Sequence, residues 1–362
     1  MKIVKGISML IISLLVIFTA FVYLANYHPA EEEVMEVTCP ENTPSLKTGQ
    51  DVKVLSWNIQ YMAGKNYVFF YDILDGSGPD ERPSPEDIAL TIDEVARVIN
   101  EENPDIIHIQ EFDDGSKRTD FDDQMQLLLN RISTDYGCYA DAFYHKSMFV
   151  PHPRIMGAVG LKLGTIAKYK IDSALRYQLE KIPADPVTMQ FNLKRAILET
   201  VFPVVDDAGN EAKPLYTYNT HLDAFAQGTN TMQLQIEETV EILNERESAG
   251  NPWFISGDFN LLPPGKSFER LPEQERVYFQ PVSELTKLYE LYPAIPTQAM
   301  TDGDSHATWY THYPNGTRAE GPDRTIDFFF YSPKLSMSNP RVRMADTLKI
   351  SDHLPMLINF KL

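Results

Sequence analysis

Residues 7 to about 27 form one apolar run without a charge, roughly 20 positions, enough to cross the hydrocarbon core of a bilayer as a helix. Lys2 and Lys5 precede it, and the acidic triplet Glu31, Glu32, Glu33 follows. That asymmetry predicts an N-terminus inside and the remaining chain outside. A cleaved signal peptide is the competing reading, but its cleavage site wants small residues, whereas Tyr23, Tyr27 and His28 crowd that position. No cysteine follows directly, which speaks against a lipoprotein anchor. Residues 1–27 therefore read as a transmembrane signal anchor, with the rest extracytoplasmic, periplasmic or extracellular. Residues 28–50, with three prolines and few apolar groups, read as a tether.

From Asp51 onward apolar runs of strand length alternate with helical patterns. Residues 52–57 are a β-type run, followed by a loop over 62–83 rich in Gly, Pro, Asp and aromatics. Ser84 as N-cap, Pro85 at the first helical position and Glu86 and Asp87 at the positive end predict a helix start. Ile88, Ile92, Val95 and Ile99 repeat at helical spacing, and Pro104 ends the segment. Further helices are predicted over 121–136 and 229–248, and strands over 106–109, 215–220, 253–256, 325–331 and 356–360. The mixture predicts a single α/β domain over residues 51–362, with helices packed outside sheets.

Composition narrows the partners more than the fold. The chain has 362 residues, 43 % hydrophobic and 23 % charged, ordinary for a globular domain that builds its own core. Its net charge of -19 disfavours a broad duplex-DNA footprint, though a nucleic acid reached through a bound cation stays open. Lys162, Lys168, Lys170, Arg176 and Arg195 are scattered, with no cluster suited to several phosphates. Cys39 and Cys138 are the two cysteines; outside the cytoplasm they can pair and clip the tail to the domain. The aromatic segment from Asn66 to Tyr71 suits a membrane interface or, alternatively, a pocket wall. Nothing in the sequence points to a protein partner.

Candidate chemistry lies where apolar strands stop. Leu55-Ser56-Trp57-Asn58, Ile106-Ile107-His108-Ile109-Gln110-Glu111, Tyr218-Asn219-Thr220-His221-Leu222-Asp223, Phe254-Ile255-Ser256-Gly257-Asp258-Phe259-Asn260, Asp323-Arg324-Thr325-Ile326-Asp327 and Ile350-Ser351-Asp352-His353 each end in groups that bind metal or phosphate. Strand ends are where a rigid scaffold presents side chains to a shared cleft. Carboxylate and amide oxygens suit a hard divalent cation, and His and Asp can orient and deprotonate water. Each motif alone is as well explained by a turn, a cap or a solvated carboxylate. Six in one chain shift the balance.

In these motifs, and in their order from residue 52 to about 360, the chain resembles the endonuclease/exonuclease/phosphatase superfamily, nearest in character to its neutral sphingomyelinase-like branch. The resemblance implies a DNase I-like four-layer α/β sandwich, two mixed β-sheets flanked by helices. It implies Mg²⁺, with Mn²⁺ or another divalent ion as substitutes. It assigns Glu111, Asn58 and Asp352 to the metal. His221, Asp258, Asn260, Asp327 and His353 become catalytic. The bottom-up reading adds Arg324 as a substrate contact, with a structural ion pair as its alternative. The activity implied is hydrolysis of a phosphate ester, a lipid or small-molecule phosphodiester, by in-line attack of water. A membrane-tethered nuclease and a non-catalytic binding module on the same fold are the alternatives.

Overall fold

The computed structural model describes every residue except Met1, Leu74 and residues 317–319. Among the described residues the strands are β1 (Glu32–Met35), β2 (Val37–Thr38), β3 (Leu46–Lys47), β4 (Asp51–Asn58), β5 (Ile106–Asp113), β6 (Cys138–Val150), β7 (Gly157–Ala167), β8 (Ser173–Gln178), β9 (Ala196–Phe202), β10 (Val204–Val205), β11 (Leu215–His221), β12 (Trp253–Asp258), β13 (Ala294–Ile295), β14 (Asp327–Tyr331), β15 (Ser336–Val342) and β16 (Met356–Lys361). One seven-stranded sheet has the order β15-β16-β4-β5-β7-β6-β2, the other β1-β8-β9-β11-β12-β14-β13. Both mix parallel with antiparallel pairs.

The sheets pack face to face because their strands carry apolar residues on both sides. Val52, Val54, Ile106, Phe254, Phe329, Ile358 and Phe360 meet between them, and Phe254 stacks on Phe360 at 5.0 Å. Each such buried side chain contributes about 2 kcal/mol relative to exposure. Outside the first sheet lie α2 (Pro85–Glu102) and α3 (Gln124–Leu129), after the apolar N-terminal helix α1 (Lys2–Leu24). Ile88, Ile92, Val95 and Ile99 face that sheet as their spacing predicts. The hydroxyl of Ser84 accepts from Asp87 N at 3.1 Å, and Asn103 closes α2 in the left-handed region at φ 49°. Outside the second sheet the helix Thr231–Ser248 buries Met232, Ile236, Val240 and Leu243. The four-layer sandwich is therefore observed.

The interface between sheets is not wholly apolar. His108 bonds Ser256 Oγ at 2.8 Å and Thr217 Oγ1 at 3.1 Å, both on the opposite sheet. Gln110 donates to Asn219 at 2.7 Å, and Asn219 donates to the carbonyls of Ile109 and Gly164. Burial pushes His108 down to about 3, so it stays neutral. This histidine of the second motif is a cross-sheet tie, not a ligand.

Two expectations need correction, and a third resolves to one of its alternatives. Residues 28–50 carry strands rather than free chain: β1 pairs with β8, β2 with β6 and β3 with β10. Their apolar groups are few, but Leu46 is fully buried and Met35 and Val37 pack on the sheets. The helix expected over 121–136 shrinks to α3, because Phe121 takes φ 67° and Asp123 caps a new start. The aromatic segment takes its core and pocket-wall alternative: Phe69 is buried and stacks on Tyr71, which lines the cleft and whose hydroxyl meets that of Tyr61 at 2.6 Å. Cys39 and Cys138 form a disulfide, as their placement allowed. Val4–Leu24 is long and apolar enough to cross a membrane, and almost none of it is buried.

Candidate active site

Register alone brings three of the expected residues together. His221 on β11 lies beside Asp258 on β12, and Asp258 lies beside Asp327 on β14. Gly257 makes this possible: it adopts φ 147°, and a Cβ there would meet Thr220 O at 1.9 Å. Across the cleft, Asn58 ends β4 opposite Gln110 of β5. Glu111 follows in a β-bulge, unpaired in the ladder between Gln110 and Phe112, with φ 66°. The bulge aims the carboxylate out of the pleat toward the cleft.

Asp258 is the hub. Its Oδ2 lies 3.1 Å from Asn58 Nδ2, 3.3 Å from His221 Nε2 and 3.5 Å from His353 Nε2. Its Oδ1 accepts from Asn260 N at 2.9 Å. Asn260, at φ 52°, spends its own Nδ2 on Leu222 O. His353 Nδ1 meets Asp327 Oδ2 at 2.8 Å, and His353 O accepts from Trp57 Nε1. Burial pushes Asp258 up to about 7, against the pull of His353. Burial alone would lower His353, but the carboxylates of Asp327 and Asp258 outweigh it and raise it to about 10. His221 goes the other way: burial, Arg195 and His353 hold it neutral.

Toward the other side of the cleft the charge is acidic. Burial first, then Asp352, raises Glu111; burial, then Asp352, raises Asp72 to about 7. Asp352, His312 and His353 bring ligand atoms within 4.8 Å of one another, as do Asp258, Asp327 and His353. Glu111 belongs to neither trio; His221 Nδ1, otherwise without a partner, stands 3.8 Å from it. The side-chain amide oxygen of buried Gln60, which also lines the cleft, has no donor among the described residues. Mutually repelling carboxylates with a spare amide oxygen are the donor set a hard divalent cation takes. The residues thus fit such an ion, with one revision. Asn58 turns its amide nitrogen to Glu111 at 3.1 Å while its oxygen accepts from Gln60 N. It acts here as a donor that holds Glu111 and Asp258 together.

The cleft measures about 530 Å³ and gathers Arg82, Lys117, Arg118, Arg154, Arg195 and Arg324 along its walls. Arg195 is one of the scattered cations, for which a solvated surface or a local ion pair is expected, and it takes the ion pair: it is buried, bonds Asp223 through Nε at 3.1 Å and leaves Nη1 without an acceptor among the described residues. Its guanidinium packs on the ring of Tyr144, which meets His221 edge-on at 5.5 Å. Lys162 and Arg176 are likewise buried in ion pairs, with Asp114 and Asp141 and with Glu33 respectively. Arg324 lines the cleft, but Glu275 and Asp323 both hold it at 2.7 Å, so the ion-pair alternative describes it. Asp72, Tyr144 and Arg195 left no signal in the sequence because each lies outside the strand-end motifs.

A family model described as the endonuclease/exonuclease/phosphatase family matches residues 55–353. A search of curated protein sequences finds no match. Among solved structures, an endonuclease/exonuclease/phosphatase from Beutenbergia cavernae is similar at 18 % identity and TM-score 0.55, over 86 % of this chain and 72 % of that one. The human Nocturnin catalytic domain with bound sulfate anion is similar at 17 % and 0.51, over 90 % and 97 %. A family protein from Leptotrichia buccalis is similar at 16 % and 0.50, over 86 % and 100 %. At these identities the structures speak to the fold.

Proposed function

Because the chain belongs to the endonuclease/exonuclease/phosphatase family, we propose that it is a divalent-metal-dependent hydrolase of a phosphate ester, acting on a phosphodiester of a lipid or small molecule. The observation that carries this reading is the convergence of Asn58, His221 and His353 on one oxygen of Asp258, with Asp327 holding the other ring nitrogen of His353. The tetrahedral sulfate bound by the Nocturnin domain has the shape of the phosphoryl group proposed here.

Glu111 and Asp352, with the oxygen of Gln60, would hold the ion, and Mg²⁺ or Mn²⁺ would supply charge against the oxyanion that develops on phosphorus. The chain's own groups do the rest. Asp258, raised by burial, is matched to accept a proton from water near neutral pH. The water oxygen bonds to phosphorus as the ester P–O bond breaks opposite, and the leaving oxygen takes a proton from solvent. His353, charged at neutral pH, donates from Nε2 to a phosphoryl oxygen, while Asp327 fixes its orientation. Neutral His221 adds a donor on the other side of Asp258. Arg195, with N–H capacity to spare, suits a non-bridging oxygen.

The test is turnover of bis-(p-nitrophenyl) phosphate by the purified full chain with Mg²⁺ or Mn²⁺. Asp258→Ala and His353→Ala should each lose roughly 10² to 10³ in kcat, and chelation should abolish turnover. Variants within tenfold of the parent would reject the assignment.

A further inference from the structure

Helix α1 does not run out into free chain. Met148 N donates to Ala25 O at 2.7 Å, Tyr27 N donates to Lys146 O at 3.1 Å, and Asn26 bridges Ser147 in antiparallel sense. The ring of Phe21 lies 6.5 Å from that of Phe149. The end of the apolar helix is thereby one more rung on the outer edge of β6. Ser147 pairs in turn with Val159 of β7. Val159 lines the catalytic cleft, as do Ala158, Leu161 and, from the turn between the strands, Arg154 and Ile155. Two strand spacings, about 10 Å, therefore separate the helix end from the cleft wall.

A helix of 23 residues spans about 35 Å, the thickness of a hydrocarbon core with a little to spare. Its last turn then marks the bilayer surface. We infer that the β6–β7 hairpin rests in that surface, so that the cleft opens onto the membrane and receives the phosphate group of a phospholipid resident there. This deepens the hydrolase reading and rests on it for the chemistry. The hairpin is dressed for the place. Met148 is 74 % and Met156 50 % exposed, large apolar side chains with little protein against them. Lys117 stands at the same end, its Nζ donating to the carbonyls of Ile155 and Met156, while Arg154 on the turn is held by Glu81 and the carbonyls of Gly78 and Pro79. A cation such as Lys117 at that level is drawn to anionic head groups. The cleft wall that continues inward through Ile155, Val159 and Leu161 is apolar, suited to the chain-bearing side of an amphiphile.

The full chain would be reconstituted in vesicles of phosphatidylcholine, phosphatidylglycerol and sphingomyelin. A fluorophore on Met156→Cys should be quenched by a lipid carrying a nitroxide at head-group level. The same label on Asp135→Cys, at the opposite end of β6 and about 40 Å away, should not be. An unquenched label at 156, or equal quenching at both positions, overturns the placement. For the substrate, Met148→Asp combined with Met156→Asp should leave turnover of soluble bis-(p-nitrophenyl) phosphate within about twofold and cut release of phosphorylated head groups from the vesicles by about tenfold or more. Vesicle lipid left intact by the parent, or hydrolysed equally by the double variant, overturns the lipid assignment while the hydrolase stands. A parent inert toward the soluble ester overturns the hydrolase reading, and the quenching pair still decides where the hairpin sits.

Discussion

Oδ2 of Asp258 and Nε2 of His353 face each other at 3.5 Å, one group raised toward neutrality and the other raised away from it. Their titrations set opposite limits. In the proposed mechanism Asp258, below about 7, holds a proton and cannot take another, and His353, above about 10, has lost the one it would donate. Turnover should therefore climb through pH 7 and decline as pH nears 10. Asp327→Asn removes the carboxylate that lifts His353, so the alkaline decline should move at least about one unit toward neutrality. The acid limb should hold or drift slightly lower, since Asp327 also raises Asp258. An alkaline limb that stays put would show that Asp327 does not position His353. At this scale the sequence was informative about identity and silent about orientation. Asp258, His353 and Glu111 stand out as polar residues ending apolar runs. That Asn58 presents nitrogen, or that Arg324 is spent on Glu275, depends on neighbours 49 or more positions away, beyond any local pattern.

The elements that carry these residues are placed by register, and register was only partly legible. Helical spacing with the cap at Ser84 places α2, and apolar runs place β4, β5, β11, β12, β14 and β16, to within a few residues, because burial on both faces leaves such runs; β6, β7, β8 and β9 are not among the strands so placed. The bulge at Glu111 left no such mark, since it arises from the pairing of β5 with β7. The short strands before residue 50 were missed for want of apolar residues, and the cationic cleft wall because neighbouring strands are distant in the chain. Between the sheets, His108 makes a stability prediction. Its folded value, about 3, lies below the roughly 6.5 of an unfolded histidine. The unfolded state therefore binds a proton that the folded state refuses, and stability falls as pH drops from about 6.5 toward 3. Urea midpoints of His108→Gln should lose less between pH 7 and pH 4 than those of the parent, by about one proton of uptake. An identical slope would mean that His108 is protonated in the fold.

Taken whole, the molecule has a net charge of -19, while its cleft sets six cationic residues against six acidic ones, Asp72, Glu81, Glu111, Asp258, Glu275 and Asp352. Such a surface repels a long polyanion, and the balanced cleft opposes one small anionic group far less. Composition carries the first statement; the second needs the fold. The disulfide between Cys39 and Cys138 closes a loop across a separation of 99 residues. Chain entropy alone makes that worth about 4 to 5 kcal/mol. Reduction, or Cys39→Ser, should lower the melting temperature by several degrees in calorimetry of the full chain.

That bond also decides what a protease could release. Glu41 and Asn42 are exposed just past Cys39, where a cut would seem to shed the globular part from its apolar helix. It would not: the severed pieces stay riveted through sulfur to the start of β6. Shedding then demands at least scission, a reductant and the parting of β1 from β8 and β2 from β6, and on the membrane placement inferred above a nicked chain should sediment with vesicles as long as thiol is withheld.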